Sequence, residues 1–281
     1  MKIKISGING FVGTNLKSYF TNLGHEVFPI ERDDLTNIAK LTKSISDSDV
    51  VINLSGANII HRWSESYKKI LYSSRIDTTK AIVNAINDLD KKPILISTSA
   101  VGVYANHGIN SEEKFEYGDS FLAKLCRSWE EEAIKAKTKV VIFRFSIVLG
   151  NGGALKKMLL PFKLGVGGVI GDGKQLFPFI HIEDLLRAFE HVIKEKELKG
   201  IFNLCAPVVT TNMGLTKALG RALNRPTILP VPKFILRLIY GEGSKVLTDG
   251  QNVVPEKLID SGFKFYYRDI NSTIDNLILK N

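Results

Sequence analysis

The sequence predicts an α/β chain wound on a parallel sheet, and three observations carry that expectation. The first thirteen residues run from a strand through a glycine-rich turn into a helix. Apolar, strand-like runs then recur along the chain, each ending in small or hydroxyl residues. Segments with apolar residues at helical spacing separate them. Residues 2–5 alternate polar and apolar, as a short strand does, and pass directly into Ser6-Gly7-Ile8-Asn9-Gly10-Phe11-Val12-Gly13. Residues 14–20 read as a helix. Strand, turn and helix form the first half of a βαβ unit. In such a turn one glycine makes the tight bend, one lets the backbone approach a pyrophosphate, and one lets the helix pack on the strand. The helix start presents free N–H groups and a positive dipole end to the phosphates. Gly7, Asn9, Gly10, Phe11, Val12 and Gly13 are therefore the first candidate cofactor-binding residues.

Composition allows such a fold. A chain of 281 residues with 44% hydrophobic and 24% charged residues fits one large or two small domains and can bury a core without staples. Cys126 and Cys205 lie far apart and give neither a disulfide framework nor metal-ligand spacing, so no metal is expected. The opening residues read as a strand and not as a signal peptide. No apolar run approaches the roughly 18 residues of a membrane span. The expectation is a cytoplasmic protein without membrane contact. The formal charge of +9 comes from scattered lysines with no block resembling a nucleic-acid arm, so a lysine-rich soluble surface is expected. That sign also suits an anionic ligand.

The second strand, 26–30, ends at Glu31-Arg32-Asp33-Asp34. An acidic residue near this point holds a ribose 2′-hydroxyl, whereas an arginine accommodates a 2′-phosphate. Arg32 favours NADP(H) over NAD(H). Residues 49–57 read as a buried parallel strand that breaks into Leu54, Ser55, Gly56 and Ala57, small enough to approach an adenine or ribose. Residues 58–65 are too long and too apolar for a simple connection, which suggests a functional insert. A helix follows to Ile86, with Ile76, Thr79, Ile82, Val83 and Ile86 on its apolar face.

Residues 92–99 form the next strand, with Thr98 and Ser99 at its carboxyl end. Ligands of open α/β sheets bind beyond such ends, so Ser99 is placed to bond a substrate oxygen. Residues 121–136 read as a helix with Leu122, Leu125, Cys126, Trp129 and Ala133 on one side, and Trp129 is expected in the core. A strand at 139–145 precedes Gly150–Leu155, which opens a helix, and a glycine-rich loop at 165–173 that borders the pocket. Residues 179–186 read as a strand entering a helix, with Asp184 near its cap and His181 a bonded structural residue. Residues 200–204 are a late strand. From Ala206 onward Pro207, Pro226, Pro230 and Pro232 punctuate short apolar patches. The fold so assembled is a doubly wound parallel sheet of Rossmann type with a smaller C-terminal substrate lobe. The nucleotide-binding domain is expected at 1–150 and 176–204, and the lobe at 151–175 and 205–281.

The turn at 6–13 resembles the cofactor turn of the extended short-chain dehydrogenase/reductases, which include nucleotide-sugar epimerases and dehydratases. Along its full length the chain resembles in particular an atypical branch of epimerase family proteins with a C-terminal domain of unknown function. Four further stretches carry this likeness: His61-Arg62-Trp63 through Ser73-Ser74-Arg75; Ser97-Thr98-Ser99-Ala100-Val101-Gly102-Val103-Tyr104; Phe121-Leu122-Ala123 through Cys126, Trp129 and Glu130; and Pro230-Val231-Pro232 through Gly241-Glu242, Pro255 and Gly262-Phe263. The resemblance implies NADP binding and a dehydrogenase- or epimerase-like oxidoreductase, with a small carbonyl or nucleotide-sugar-like substrate held between the sheet and the C-terminal lobe. The larger family moves a proton with a Tyr-x-x-x-Lys pair. Aligned through Glu130, those slots hold Leu122 and Cys126, while Tyr117 and Lys124 are out of register. Its serine is retained as Ser99. Arg75 stands where the family commonly has asparagine. Three outcomes follow: another acid (Tyr104, His107 or a cofactor-ordered water), a substrate needing little acid help, or an NADP(H) sensor without turnover. Arg62 and Arg75 are candidates to hold an anionic small-molecule substrate, with Trp63 as a stacking wall. A homodimer is implied by analogy alone.

Overall fold

The computed structural model describes residues 1–279. Six strands form one parallel sheet: β1 (Lys2–Ser6), β2 (Glu26–Ile30), β3 (Val50–Asn53), β4 (Ile94–Ala100), β5 (Val140–Phe145) and β8 (Gly200–Leu204). Their order is β2-β1-β3-β4-β5-β8. The chain therefore winds outward from β1 to β2, then crosses back to β3 on the other side of β1. The crevice beyond the carboxyl ends of β1 and β3 is the topological switch point, where open α/β sheets bind ligands.

Helices cover both faces. On one face α1 (Phe11–Asn22) and α7 (Ile182–Lys194) bury Leu16, Phe20, Leu185 and Phe189 against Ile3, Ile5 and Phe143. On the other, α2 (Ile38–Ile45) and α4 (Ile76–Asn87) bury Leu41, Ile45, Ile82, Val83 and Ile86 against Val51 and Leu95. The near-continuous apolar strands follow from this burial on both sides. Helix α3 (Glu65–Ser73) precedes α4, and α5 (Phe121–Ala133) closes the sheet beside β4. Helix α5 stops at Ala133, short of the expected 136, with Ile134 as its C-cap.

A second core belongs to the smaller lobe. There β6 (Ile147–Leu149) and β7 (Phe179–His181) pair with each other in parallel. Leu149 and Phe179 pack with α6 (Gly153–Lys163), α8 (Asn212–Leu223) and α12 (Ile270–Leu279). Helices α9 (Lys233–Tyr240), α10 (Lys245–Thr248) and α11 (Glu256–Asp260) complete the chain. The packing departs from the expected boundary in two places. Strands β6 and β7, placed by sequence in the nucleotide-binding domain, help build the lobe core. Conversely, Leu258, Phe263 and Phe265, placed in the lobe, join the main core. The reason is the edge: α11 packs on β8, the last strand of the sheet, and an uncovered edge is an open row of hydrogen-bonding groups.

His181 is structural, as expected. Its Nδ1 accepts from the Glu183 N–H at 3.1 Å and so caps α7, and its ring stacks on Tyr267 with centroids 3.7 Å apart. Asp184 sits in the first turn of that helix, fully buried, and accepts from the N–H groups of Tyr266 and Tyr267, both at 2.8 Å. Among the described residues no helix is long and apolar enough to cross a membrane.

Candidate cofactor and substrate cleft

The glycine turn is shaped by contacts that a side chain would break. Gly7 has φ +71°, and a Cβ there would lie 2.9 Å from the Leu54 carbonyl oxygen. A Cβ on Gly13 would lie 2.5 Å from the Gly7 oxygen and 2.7 Å from the Ile8 Cα. The Gly10 N–H donates to the Gly7 oxygen at 3.0 Å and closes the bend. Gly10 is also the N-cap of α1, which has neither a side-chain cap nor an acidic residue in its first turn. The positive end of the helix is thus unopposed by the protein's own charge, and this fits the diphosphate of a dinucleotide.

A buried polar spine fixes the facing loop. Ser6 Oγ donates to Asn53 Oδ1 at 2.7 Å, and Asn53 Nδ2 donates to Thr79 Oγ1 at 2.8 Å. Trp129 Nε1 donates to the same Thr79 oxygen at 2.8 Å. Thr98 Oγ1 donates to the Asn53 carbonyl at 3.0 Å, and the Ser55 N–H donates to Asn53 Oδ1 at 3.2 Å. The hydroxyls at the ends of β1 and β4 thereby hold the 54–57 loop in place. The Ala57 N–H donates to Ser74 Oγ at 3.0 Å. At the end of β2, Asp34 turns inward to accept from the Glu31 N–H and pairs with Lys40 at 2.9 Å. Arg32 is exposed there.

From the turn a cleft of about 800 Å³ runs past Thr98, Ser99 and Ala100 and into the lobe as far as Phe177, Leu215 and Leu219. Gly7, Gly10, Phe11, Val12, Gly13, Leu54, Ser55 and Gly56 line its near end. Asn9, Arg32 and Ala57 lie outside this lining. One wall is formed by Ile59, Trp63, Leu122, Trp129 and Val246, which are backed by Leu71, Ile76, Phe121 and Leu125 in the same apolar cluster. The insert at 58–65 thus supplies part of the wall. Trp63 donates through Nε1 to the Ile59 carbonyl at 2.9 Å and meets Phe121 edge-on, 5.5 Å between centroids. Arg75 donates to the Leu71 carbonyl at 3.2 Å and to the Ala57 carbonyl at 3.0 Å, and its guanidinium lies 5.3 Å from the Trp129 ring centroid. Burial holds its pKa below the ordinary arginine value. Trp129 serves in both ways, as core and as cleft wall.

Three sequence candidates need correction. Arg62 does not line the cleft: its guanidinium reaches across to the Leu238 carbonyl at 3.3 Å and fastens the insert to α9. Tyr104 is 1% exposed, and its hydroxyl is locked among Asn203 Oδ1 at 2.7 Å, the Ser111 carbonyl at 3.2 Å and Arg144 Nη1, which donates to it at 2.7 Å. Burial pushes its pKa up to about 12. It cannot meet a ligand without breaking that network. His107 is exposed beside Glu116, 3.8 Å away, and also stands off the cleft.

Ser99 does reach the cleft, but its proton is committed. Its Oγ donates to Glu130 Oε1 at 2.6 Å. Glu130 in turn accepts from Arg144 Nε at 2.8 Å and Arg144 Nη2 at 2.6 Å, a two-pronged pair with the arginine fully buried. Sequence reasoning used Glu130 only as an alignment anchor and missed this pair. The signal was present: Glu130 falls on the apolar side of α5 one turn after Cys126, and Arg144 sits inside an otherwise apolar strand. Leu122 and Cys126, the residues in the tyrosine and lysine slots, both line the cleft. Cys126 is 1% exposed, and burial pushes its thiol up to about 12.

A Rossmann-type sheet whose uncapped glycine turn opens into a cleft walled by a second lobe defines a dinucleotide-dependent class of protein. The chain belongs to the NAD dependent epimerase/dehydratase family, whose model matches residues 3–205, and a domain of unknown function, DUF1731, matches residues 231–277. It is 34% identical to mouse epimerase family protein SDR39U1 over 99% of this chain and 100% of that one. It is 33% identical to Bacillus subtilis epimerase family protein YfhF over 99% of this chain and 98% of the other. The crystal structure of human SDR39U1 (isoform 2) with NADPH is similar at a TM-score of 0.92 and 29% identity, over 100% of both chains.

Proposed function

We propose that the chain is an NADP(H)-binding oxidoreductase of the short-chain type that acts on a small carbonyl or alcohol compound. One observation carries this reading: the unopposed N-terminus of α1 and the Ser99 hydroxyl open into one continuous cleft. A dinucleotide anchored at Gly7, Gly10, Phe11, Val12 and Gly13, with Asn9 at the rim, extends along Leu54, Ser55, Gly56, Ala57 and Thr98 toward Ser99. Arg32, exposed beyond β2, receives the 2′-phosphate and sets the preference for NADP(H) over NAD(H). NADPH in the human relative supports the choice. The bound cofactor supplies or accepts a hydride.

The chain's own residues bind and orient. With its O–H donated in a hydrogen bond to Glu130, Ser99 offers lone pairs to the cleft and so accepts from a substrate hydroxyl. Trp63 and Arg75 form the substrate wall. Leu122 and Cys126 line the cleft without offering an acid, so a cofactor-ordered water is left to exchange the proton. We read the protein as cytoplasmic, with small molecules and neither nucleic acid nor membrane as partners.

The same Leu122 and Cys126 favour a second reading, a sensor that binds NADP(H) without turnover. Calorimetry with NADPH and NADP⁺, followed by NADPH oxidation across a panel of carbonyl compounds, separates the two. Binding with turnover that Ser99→Ala lowers supports the enzyme. Binding without turnover on any compound supports the sensor. A folded protein that ignores both nucleotides overturns both.

A further inference from the structure

We propose that the cleft's second ligand is a flat apolar anion, an aromatic or conjugated carboxylate, and not a nucleotide sugar. This inference rests on the cofactor reading above and names the substrate class for the same site.

The first ground is Arg75. A guanidinium carries five N–H donors. Two of them are accounted for by the carbonyls of Leu71 and Ala57. Among the described residues no carboxylate lies within ion-pair distance of it, whereas buried Arg144 has Glu130 and Lys68 on α3 has both Glu65 and Glu242. Arg75 is half-buried, so its charge is only partly solvated and has no counter-charge in the protein, and an anion brought by a ligand offsets that. Lys157 and Lys245, also at the cleft, are exposed and remain solvated. The anionic group therefore belongs at Arg75, against the face of Trp129.

The second ground is the surrounding wall. A site that reads a sugar does so through polar groups left free to pair with its hydroxyls. Here the donors near Arg75 are already paired within the protein. The Trp63 indole donates to Ile59, the Trp129 indole to Thr79, the Tyr67 hydroxyl to the Asn58 carbonyl at 2.6 Å, and the Ser99 hydroxyl to Glu130. On the wall beside Arg75 the side chains that face the ligand are hydrocarbon and ring, namely Ile59, Trp63, Leu122 and Val246, while the polar side chains of Asn106, Ser120, Glu242 and Gln251 also line the cleft. A polyhydroxylated ring would lose its water there and gain little. A flat apolar body would bury its surface, with its charge on Arg75 and its reacting oxygen near Ser99.

The test uses the full chain. NADPH binding is measured first by calorimetry, and its absence would count against the cofactor reading alone. The protein, saturated with NADPH where it binds and free where it does not, is then titrated with 2-naphthoate, with its neutral counterpart 2-naphthalenemethanol, and with UDP-glucose. The expected result is that naphthoate binds at least about tenfold more tightly than the alcohol, the contribution of a charge-assisted pair, and also more tightly than UDP-glucose. Arg75→Met should erase the difference between acid and alcohol, and Arg75→Lys should restore part of it. UDP-glucose binding more tightly than naphthoate, or equal binding of acid and alcohol, overturns the proposal. So does a loss of NADPH affinity in Arg75→Met that matches the loss for naphthoate, because it assigns the anion to the cofactor's phosphates. The acid–alcohol comparison needs no variant and stands even where Arg75→Met fails to fold.

Discussion

The Ser99 hydroxyl donates a hydrogen bond to Glu130 across 2.6 Å, and so the serine that lines the cleft is tied to a buried ion pair. Glu130 accepts from both Ser99 and Arg144, whose side chain is fully buried beneath the site. Removing the carboxylate leaves an uncompensated guanidinium inside the protein. Glu130→Ala should therefore destabilise the fold by about 3–5 kcal/mol, read from urea denaturation, whereas Ser99→Ala should cost far less. Similar midpoints for the two variants would show that the pair does not hold the site.

Gly13 and Gly10 should respond differently to the same added methyl group. At Gly13 the Cβ meets backbone at 2.5 Å and 2.7 Å, and backbone cannot rotate aside. At Gly10 its nearest contact is the Gly7 oxygen at 3.2 Å, which a small shift relieves. Gly13→Ala should lower the melting temperature by several degrees and abolish NADPH binding. Gly10→Ala should melt close to the wild type while binding NADPH more weakly. The reverse order in thermal melts would rule out this account of the turn.

The parts of the fold that were legible in the sequence are those set by local rules. Alternation gave β1, unbroken apolar runs gave β3 and β5, and the demand for glycine at the first turn followed from geometry within a few residues. The misread parts depend on partners far along the chain. Tyr104 has the right chemistry for an acid, but Asn203, 99 positions away, decides where its hydroxyl points. Arg62 looked like a ligand cation until α9, 176 positions away, supplied a carbonyl for it. The Glu130–Arg144 pair was visible only as two charges in apolar patterns, and each is intelligible only with the other.

Arg32 should control the choice of nicotinamide cofactor. It is exposed at the end of β2, while Asp34, the buried acid there, is turned inward to Lys40 and the Glu31 N–H. Losing a charge-assisted contact to phosphate should weaken NADPH by about tenfold or more. NADH, which lacks the 2′-phosphate, should change little. Calorimetry of Arg32→Ala with both nucleotides checks this, and an equal effect on both would refute the phosphate role.

His181 should make stability depend on pH in one direction. In the unfolded chain its pKa is about 6.5. In the folded protein burial depresses it, against smaller opposing effects of the Asn276 hydrogen bond and the Glu183 charge. Its Nδ1 accepts from the Glu183 N–H, so the folded form is the neutral one. Between the folded and unfolded values the unfolded chain holds a proton that the fold does not. The stabilisation is therefore complete above about pH 6.5, declines as pH falls below it, and levels off beneath the folded value. His181→Asn keeps an acceptor suited to an N-cap and removes the titration. Wild type should be the more stable at about pH 8, and its advantage should shrink toward about pH 5, as measured by urea unfolding at each pH. An advantage that stays constant or grows on acidification would mean that the buried ring is protonated in the fold.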